Sequence, residues 1–303
     1  MKLLLVTTSS LGDVLHTLPA LHDLWRHRPE VRVHWVVEEA FAQIPAWAPN
    51  VVRVIPVAWR RWRRDLPGAW RSGELPAFLK AVRSEPFDRI LDAQGLLKSA
   101  LIARLAHGPR HGPDAASARE SWAARLYQRR HGVPTELHAT ERLRRLFAAA
   151  LELPMPQGAP EFGLEPQRFA QPEPEEKPYL IFLHGTTWES KLWPEAHWQR
   201  LAVLAGQGGW QIELPWGNDS ERQRAQAIAA ATPENARLLP RLTLEQLAVR
   251  LAGARAVIAT DTGPAHLSAA LAVPTVGLYG PTPTERIGII GRHVTRLVGS
   301  CPL

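Results

Sequence analysis

Asp13 stands in "LLLVTTSSLGDVLHTLPAL" (residues 3 to 21), where an apolar run, a Gly-containing turn and a helical pattern follow one another. That layout usually receives phosphate, whose charge a carboxylate would repel. A carboxylate at a strand–helix turn can instead serve as a general base on a hydroxyl. A sugar hydroxyl is too weak an acid for Asp to deprotonate outright, so the proton moves late, as the hydroxyl attacks an electron-poor carbon. The anomeric carbon of a nucleotide sugar becomes such a centre as its diphosphate departs. In isolation the pattern favours Asp13 as a helix N-cap after Gly12. The base reading is conditional on a phosphate site elsewhere in the chain.

The second half of the chain offers that site. In "AVIATDTGPAHLSAALA" a strand is expected to end at Thr260 and a helix to follow "DTGP". Gly263 lets backbone N–H groups approach a ligand, and Pro264 suits a first helical turn. A diphosphate there meets the positive helix end, with Thr262 as an added donor and His266 one turn on. Ordinary N-capping by Asp261 or Thr262 explains this stretch slightly better when it is taken alone. "HGTTWESKLWP" (184–194) tips the balance: another strand end is followed by Thr186, Thr187 and then Lys191, a point charge suited to phosphate. Glu221, in "ELPWGNDSERQRA", is either an acceptor for ribose or adenine or a first-turn Glu favoured by the helix dipole. Leu242 is a candidate apolar wall for a base, or simply core. Neither GxGxxG nor GxxxxGK[ST] occurs. With no HExxH, CxxC or DxD pair either, no metal site and no cofactor is expected, and the leaving charge falls to Lys191 and a helix N-terminus.

The densest charge lies in "AWRRWRRDL" (58–66). On one helix Trp59, Trp62 and Leu66 would share a face, with Arg60, Arg61, Arg63 and Arg64 projecting around it. Arginine forks bind carboxylates and phosphates bidentately, and Trp with Arg suits a membrane surface. Lys98, Arg119 and Arg142 add cations in the same half. Together they point to a polyanionic acceptor. No RNP, zinc-finger or helix-turn-helix pattern accompanies them, so no nucleic acid is expected.

These residues need a frame. The first half alternates "KLLLVTT", "VRVHWVV", "VVRVIPV" and "RILDAQG" with amphipathic stretches such as 14–27 and 73–84, which implies a parallel sheet covered on both faces. "EPQRFAQPEPEEKP" (165–178) reads as a linker and a natural hinge for domain closure. "YLIFLHG" then restarts the plan, followed by "WQIELPWG", "ARLLP", "AVIATDTG" and "PTVGLYGPT". The expected division is an acceptor domain over 1–165, a linker over 166–178 and a donor domain over 179–303. Ligands in such sheets sit at the carboxyl ends of the strands, and two facing domains would place those ends around one cleft.

Bulk properties agree. The 303 residues carry a formal charge of +7, of which residues 1–165 hold +6 (23 Lys/Arg against 17 Asp/Glu). A basic first half suits an anionic partner, or is a solvated surface without a task. The apolar run after Lys2 stops at Thr7 without a cleavage pattern, and nothing approaches a membrane span. The single cysteine, Cys301, cannot form an internal disulfide, which fits a reducing cytosol.

"SSLGDVLHTLPAL", "DAQGLLKSA", "HGTTWESKLWP" and "TDTGPAHLSAALAVPTVGLYGPT" together resemble the ADP-heptose:lipopolysaccharide heptosyltransferases, over nearly the whole chain. "TTWESKLWP" and "WRRWRR" look most like the type I members. The resemblance implies an α/β protein of GT-B fold: two Rossmann-like doubly wound parallel-sheet domains facing a central cleft. It implies inverting, metal-independent transfer of L-glycero-D-manno-heptose from ADP-heptose to the inner Kdo of Kdo2-lipid A, at the cytoplasmic face of the bacterial inner membrane, with peripheral contact to its anionic surface. Asp13 matches the family's catalytic base. Thr186, Thr187, Lys191, Glu221, Leu242, Asp261, Thr262, Gly263 and His266 match its donor-binding positions. Arg60, Arg61, Arg63, Arg64, Arg119 and Arg142 match its basic acceptor positions. Family members usually continue past the equivalent of "LVGSCPL" into a terminal helix, so truncation or looser coupling of the domains is expected here. The alternatives are a related enzyme taking an already heptosylated acceptor, and a non-catalytic binder of anionic lipid or nucleic acid through 58–66.

Overall fold

The computed structural model of the protein describes residues 1–170 and 177–299. Residues 171–176 of the expected linker, and Cys301, lie outside the described residues. The chain separates into two compact units, Met1–Gly163 and one beginning at Leu164.

In the first unit β1 (Lys2–Val6), β2 (Arg32–Glu38), β3 (Val51–Val57), β4 (Arg89–Asp92), β5 (Arg110–Pro113) and β6 (Arg129–His131) form one sheet in the order β3-β2-β1-β4-β5-β6. Every pairing is parallel. Its helices are α1 (Leu11–His27), α2 (Trp59–Trp62), α3 (Leu66–Arg71), α4 (Glu74–Val82), α5 (Leu97–Leu105) and α6 (Ala139–Leu151). Leu3, Leu4, Leu5 and Val6 are all buried, as befits a central strand covered on both faces. On α1, Val14, Leu18 and Leu21 with Leu15 and Leu24 form the buried stripe at helical spacing.

The second unit repeats this topology. β7 (Tyr179–Leu183), β8 (Gln211–Leu214), β9 (Ala236–Leu238), β10 (Ala256–Thr260), β11 (Thr275–Tyr279) and β12 (Val294–Val298) pair in the order β12-β11-β10-β7-β8-β9, again all parallel. Numbered from its own first strand, this is the first unit's order reversed on the page. α7 (Glu195–Gln207), α8 (Asp219–Ala230), α9 (Leu244–Gly253), α10 (Gly263–Ala270) and α11 (Thr284–Ile287) complete it. Phe182 and Trp198 anchor its core, with ring centroids 5.3 Å apart. Both units are thus Rossmann-like, and each reverses its strand order once: between β1 and β4, and between β7 and β10. Among the described residues no helix is long and apolar enough to cross a membrane.

Two expectations need correction. The stretch 58–66 is not one helix: α2 stops at Trp62, and α3 starts afresh at Leu66 with Asp65 accepting the Gly68 N–H at 2.8 Å. Pro67 accounts for the break: it has no N–H to give the Arg63 carbonyl of a continuing helix, and it suits the first turn of a new one. Trp62 is therefore buried against Phe78 while Leu66 is exposed. Second, α1 begins at Leu11, so Gly12 and Asp13 belong to its first turn; Ser10, not Asp13, is the N-cap. The short strands β5 and β6, which carry no apolar run, continue the sheet by pairing with β4 and with each other.

β5 and β6 also set a pH limit. His111 Nδ1 lies 3.1 Å from His131 Nε2, with the rings stacked 5.3 Å apart. Burial, then the His131 charge and Arg89 and Arg129, push His111 down to about 4; burial with the same arginines lowers His131. A histidine whose folded pKa lies below its unfolded value of about 6.5 contributes stability that is intact above that value. That contribution is lost as pH falls from there toward about 4. Thermal midpoints recorded across this window should fall more steeply for the wild type than for His111→Gln.

Candidate functional site

In the first unit the loops after β1 and β4 meet at the switch point. Asp92, fully buried at the end of β4, accepts hydrogen bonds from Gln94 N (2.8 Å), Gly95 N (3.2 Å), Ser99 Oγ (2.8 Å) and Tyr127 Oη (2.6 Å). Gly95 turns there at φ +69°, and a Cβ on it would meet Pro113 Cγ at 2.9 Å. Gln94 then reaches across to β1: its Oε1 accepts from Thr8 N (3.2 Å) and Thr8 Oγ1 (2.8 Å), and its Nε2 donates to the Ser9 carbonyl. This clasp fixes the segment that leads into α1. Desolvation raises the Asp92 pKa against these four donors. Asp92→Ala should strand Tyr127 and Ser99 hydroxyls in the core and cost about 3 kcal/mol, read from the urea unfolding of the first unit.

Asp13 lies one turn beyond the clasp. Its Oδ2 accepts from Ser10 N at 2.7 Å, the carboxylate half of a capping box. The same carboxylate forms a bidentate pair with Arg119, whose NH1 lies 3.2 Å from Oδ2 and whose NH2 bonds Oδ1. Burial opposes the Arg119 charge, but Asp13 outweighs it and raises its pKa. Thr7, Asp13, Gln94, Ser117, Arg119 and Arg142 are among the residues lining one cavity, and Arg142 donates to the Ser117 carbonyl at 2.7 Å. Lys98 donates to Ser9 Oγ at 2.9 Å. Burial lowers the Lys98 pKa; Glu38 and Asp13 oppose the fall, and Arg60 and Arg119 add to it. Asp13, Arg119 and Arg142 therefore line one cavity, and Lys98, held by Ser9, lies close enough to feel the charges of Asp13, Arg119 and Arg60.

Arg61 does not belong to this group. Its guanidinium is taken up by Glu39 at 3.1 Å and Glu74 at 2.7 Å, beside a second groove on the far side of Trp62. Arg63 and Arg64 are exposed on the turn between α2 and α3. Glu38, absent from the sequence-based set, orients α2: buried at the end of β2, it accepts the Arg60 N–H at 3.1 Å.

In the second unit the loops after β7 and β10 meet in the same way. Thr186 Oγ1 donates to the Asp261 carbonyl at 2.9 Å, and Thr260 Oγ1 donates to the Gly185 carbonyl at 3.1 Å. The Asp261 carboxylate accepts from Thr282 Oγ1 at 2.5 Å and pairs with Lys191 Nζ at 2.6 Å. It is thus committed to these partners, and Thr262, at the N-cap position of α10, makes no side-chain cap bond. Capping by the Thr262 side chain is thus not realised, and Ala265 N donates instead to the Thr262 carbonyl at 3.1 Å. Glu221 accepts Gly217 N at 2.7 Å and packs against Gly185, where a Cβ would sit 2.5 Å from its Cδ. Thr187 is exposed beside Thr186, and His266 is buried in α10. Leu242 is half-buried just before Thr243, the N-cap of α9.

Nothing in the spacing of "GLYGPT" marks Thr282 as a partner of Asp261. Asp92 and Gln94 lie inside "DAQG", where their function depends on tertiary partners up to 86 positions away. His184, just after β7, is core: burial, with Arg224 adding to it, pushes it down to about 4, and it stands edge-on to Trp198. Among the described residues no three His, Cys, Asp or Glu side chains are grouped as a metal would need.

The family model described as Glycosyltransferase family 9 (heptosyltransferase) matches residues 76–301. Lipopolysaccharide heptosyltransferase 1 of Pseudomonas aeruginosa is 50% identical over 303 residues, covering 100% of this chain and 85% of that protein. Its counterpart of the same name from Salmonella typhimurium is 46% identical over 294 residues, 97% of this chain and 92% of its own. Among solved structures, E. coli heptosyltransferase WaaC with ADP superposes at a TM-score of 0.93 and 44% identity, over 98% of this chain and 93% of that one. WaaC with ADP-2-deoxy-2-fluoro heptose gives 0.90 at 44% identity, over 100% and 94%. The pair of Rossmann-like units is thus that of the GT-B heptosyltransferases.

Proposed function

The chain belongs to glycosyltransferase family 9, the heptosyltransferases, and from that premise we propose that it is the type I enzyme of lipopolysaccharide core assembly. In this reading it transfers L-glycero-D-manno-heptose from ADP-heptose to the inner Kdo of Kdo2-lipid A, inverting the anomeric centre without a metal. The observation that carries it is the pairing of Asp13 with Arg119 on a rim of cations at the first unit's switch point. An acid among cations suits an anionic acceptor that must lose one proton.

The first unit takes the acceptor. Arg119, Arg142, Lys98 and Arg60, with Arg63 and Arg64 nearby, offer charge to carboxylates and phosphates. An acceptor carboxylate competes for Arg119 and releases Asp13 to receive the hydroxyl hydrogen bond. The second unit takes the donor. Its diphosphate meets the α10 N–H groups and the Lys191 ammonium, which now rests on Asp261. Thr186, Thr187, Thr262, Gly263 and His266 surround that position, while Glu221 and Leu242 serve the nucleoside. Proton transfer to Asp13 runs late, as the hydroxyl oxygen bonds the anomeric carbon and the bond to ADP breaks. The enzyme works at the cytoplasmic face of the bacterial inner membrane, against its anionic surface.

A matrix of donors and acceptors tests this. ADP should be released from ADP-heptose when Kdo2-lipid A is present, and far less when the acceptor already carries the first heptose. Preference for the heptosylated acceptor would reassign the chain to the next transfer in the same family. Indifference to any acceptor would remove the transferase reading.

A further inference from the structure

We propose that the carboxyl-end rim of the first unit's sheet docks on an anionic phospholipid bilayer through two apolar prongs that flank the Asp13 cavity. It rests on the reading that the acceptor is a lipid. It replaces the expected contact through Trp59 and Trp62, since Trp62 is buried and Trp59 half-buried.

The first prong is α3, inserted after the carboxyl end of β3. Leu66 and Trp70 sit four residues apart on its outer face, 52% and 58% exposed. Arg63, Arg64 and Arg71 are exposed immediately around them. The second prong lies beyond β4. Leu97 and Leu101 rise from α5 at the same spacing, 43% and 45% exposed. Residues 121–126, a 3-10 helix, pack along α5 through Ala123 and Ala124 against Ala100, which leaves Trp122 63% exposed on the outer side of that seam. The Arg125 guanidinium stacks 3.8 Å from the Trp122 ring centroid.

Charge selects the occupant. The cations of the two prongs outnumber the carboxylates beside them, Asp65, Glu74 and Glu120; backbone N–H groups engage Asp65 and Glu120, and Arg61 and Trp62 engage Glu74. Tryptophan and leucine flanked by arginine suit the headgroup boundary, where the rings enter the acyl region and the guanidinium groups remain with phosphate. One weak anchor holds a protein on a bilayer only briefly; two anchors with basic charge hold it stably. Placed on either side of β1 and β4, they would leave the switch-point cavity facing the surface from which a lipid-borne sugar projects.

Sedimentation with vesicles tests the assignment. The wild type should pellet with mixed phosphatidylglycerol–phosphatidylcholine vesicles and not with phosphatidylcholine alone, and rising salt should weaken binding. The Trp70→Ser, Trp122→Ser double variant should bind about tenfold or more weakly, melt at the wild-type temperature, and turn over an acceptor stripped of its acyl chains at the wild-type rate. Wild-type binding by the double variant, or no binding by the wild type, overturns the proposal. So does a concentration-dependent dimer that the double variant abolishes, which would give the prongs to a second copy of this chain. Failure of the transferase reading is separate: the wild type would then release no ADP with the stripped acceptor, whatever the vesicles show.

Discussion

Asp13→Asn should lower turnover by about 10²- to 10⁴-fold while leaving the Kd for ADP-heptose near the wild-type value. Asparagine keeps the size of the side chain and an oxygen for the Ser10 N–H, so the first turn of α1 survives. It removes the negative charge and the basic lone pair, so Arg119 loses its bidentate partner and the attacking hydroxyl loses its proton acceptor. The separation matters because Asp13 also holds the helix start. A purely structural role would appear as a lower melting temperature with turnover per folded molecule unchanged. Rapid-quench turnover at saturating substrates, beside calorimetric donor titration, distinguishes the two. Wild-type turnover in the variant would exclude Asp13 from the chemistry.

Lys191→Ala should reduce kcat/KM for ADP-heptose by about 10²- to 10³-fold, the scale for removing one preorganised charge from a developing anion. Two effects add in the same direction. The ammonium that neutralises the leaving diphosphate is gone, and the Asp261 carboxylate, otherwise paired at 2.6 Å, is left to repel it. Asp261→Asn separates them, because it retains Lys191 and removes the repulsion. Donor kinetics for both variants, with the acceptor KM as control, should place Lys191→Ala far below Asp261→Asn. A Lys191→Ala enzyme with unaltered donor kinetics would return that lysine to the ordinary surface.

The sheet frame was legible because its central strands are continuous apolar runs. Leu3–Val6 and Tyr179–Leu183 read as strands covered on both faces because each run is apolar, too short for an ordinary helix and followed by a turn signal. "RHGP" and "RRH" carry no such signal, since an outer strand of a parallel sheet is specified by its neighbour. The helix expected over 58–66 failed because Pro67 lacks the N–H that a continuous helix needs there, which outweighed the spacing of the apolar residues.

The candidate site was legible by residue type and illegible by pairing. Lys191 and Asp261 both stood out, yet nothing in their spacing shows that they hold each other. The same is true of Asp13 and Arg119, 106 positions apart. Arg61 fitted the basic stretch as well as its neighbours did, and only Glu39 and Glu74 show why it differs. Gln94 carries no charge and stands out only once β1 and β4 are adjacent.

The anomeric configuration of the transferred heptose, read from the one-bond carbon–hydrogen coupling in the product and in the donor, tests the central claim most directly. A single displacement assisted by one carboxylate predicts opposite configurations. The same configuration in both would demand two displacements and a nucleophile on the enzyme, and would contradict Asp13 as the base.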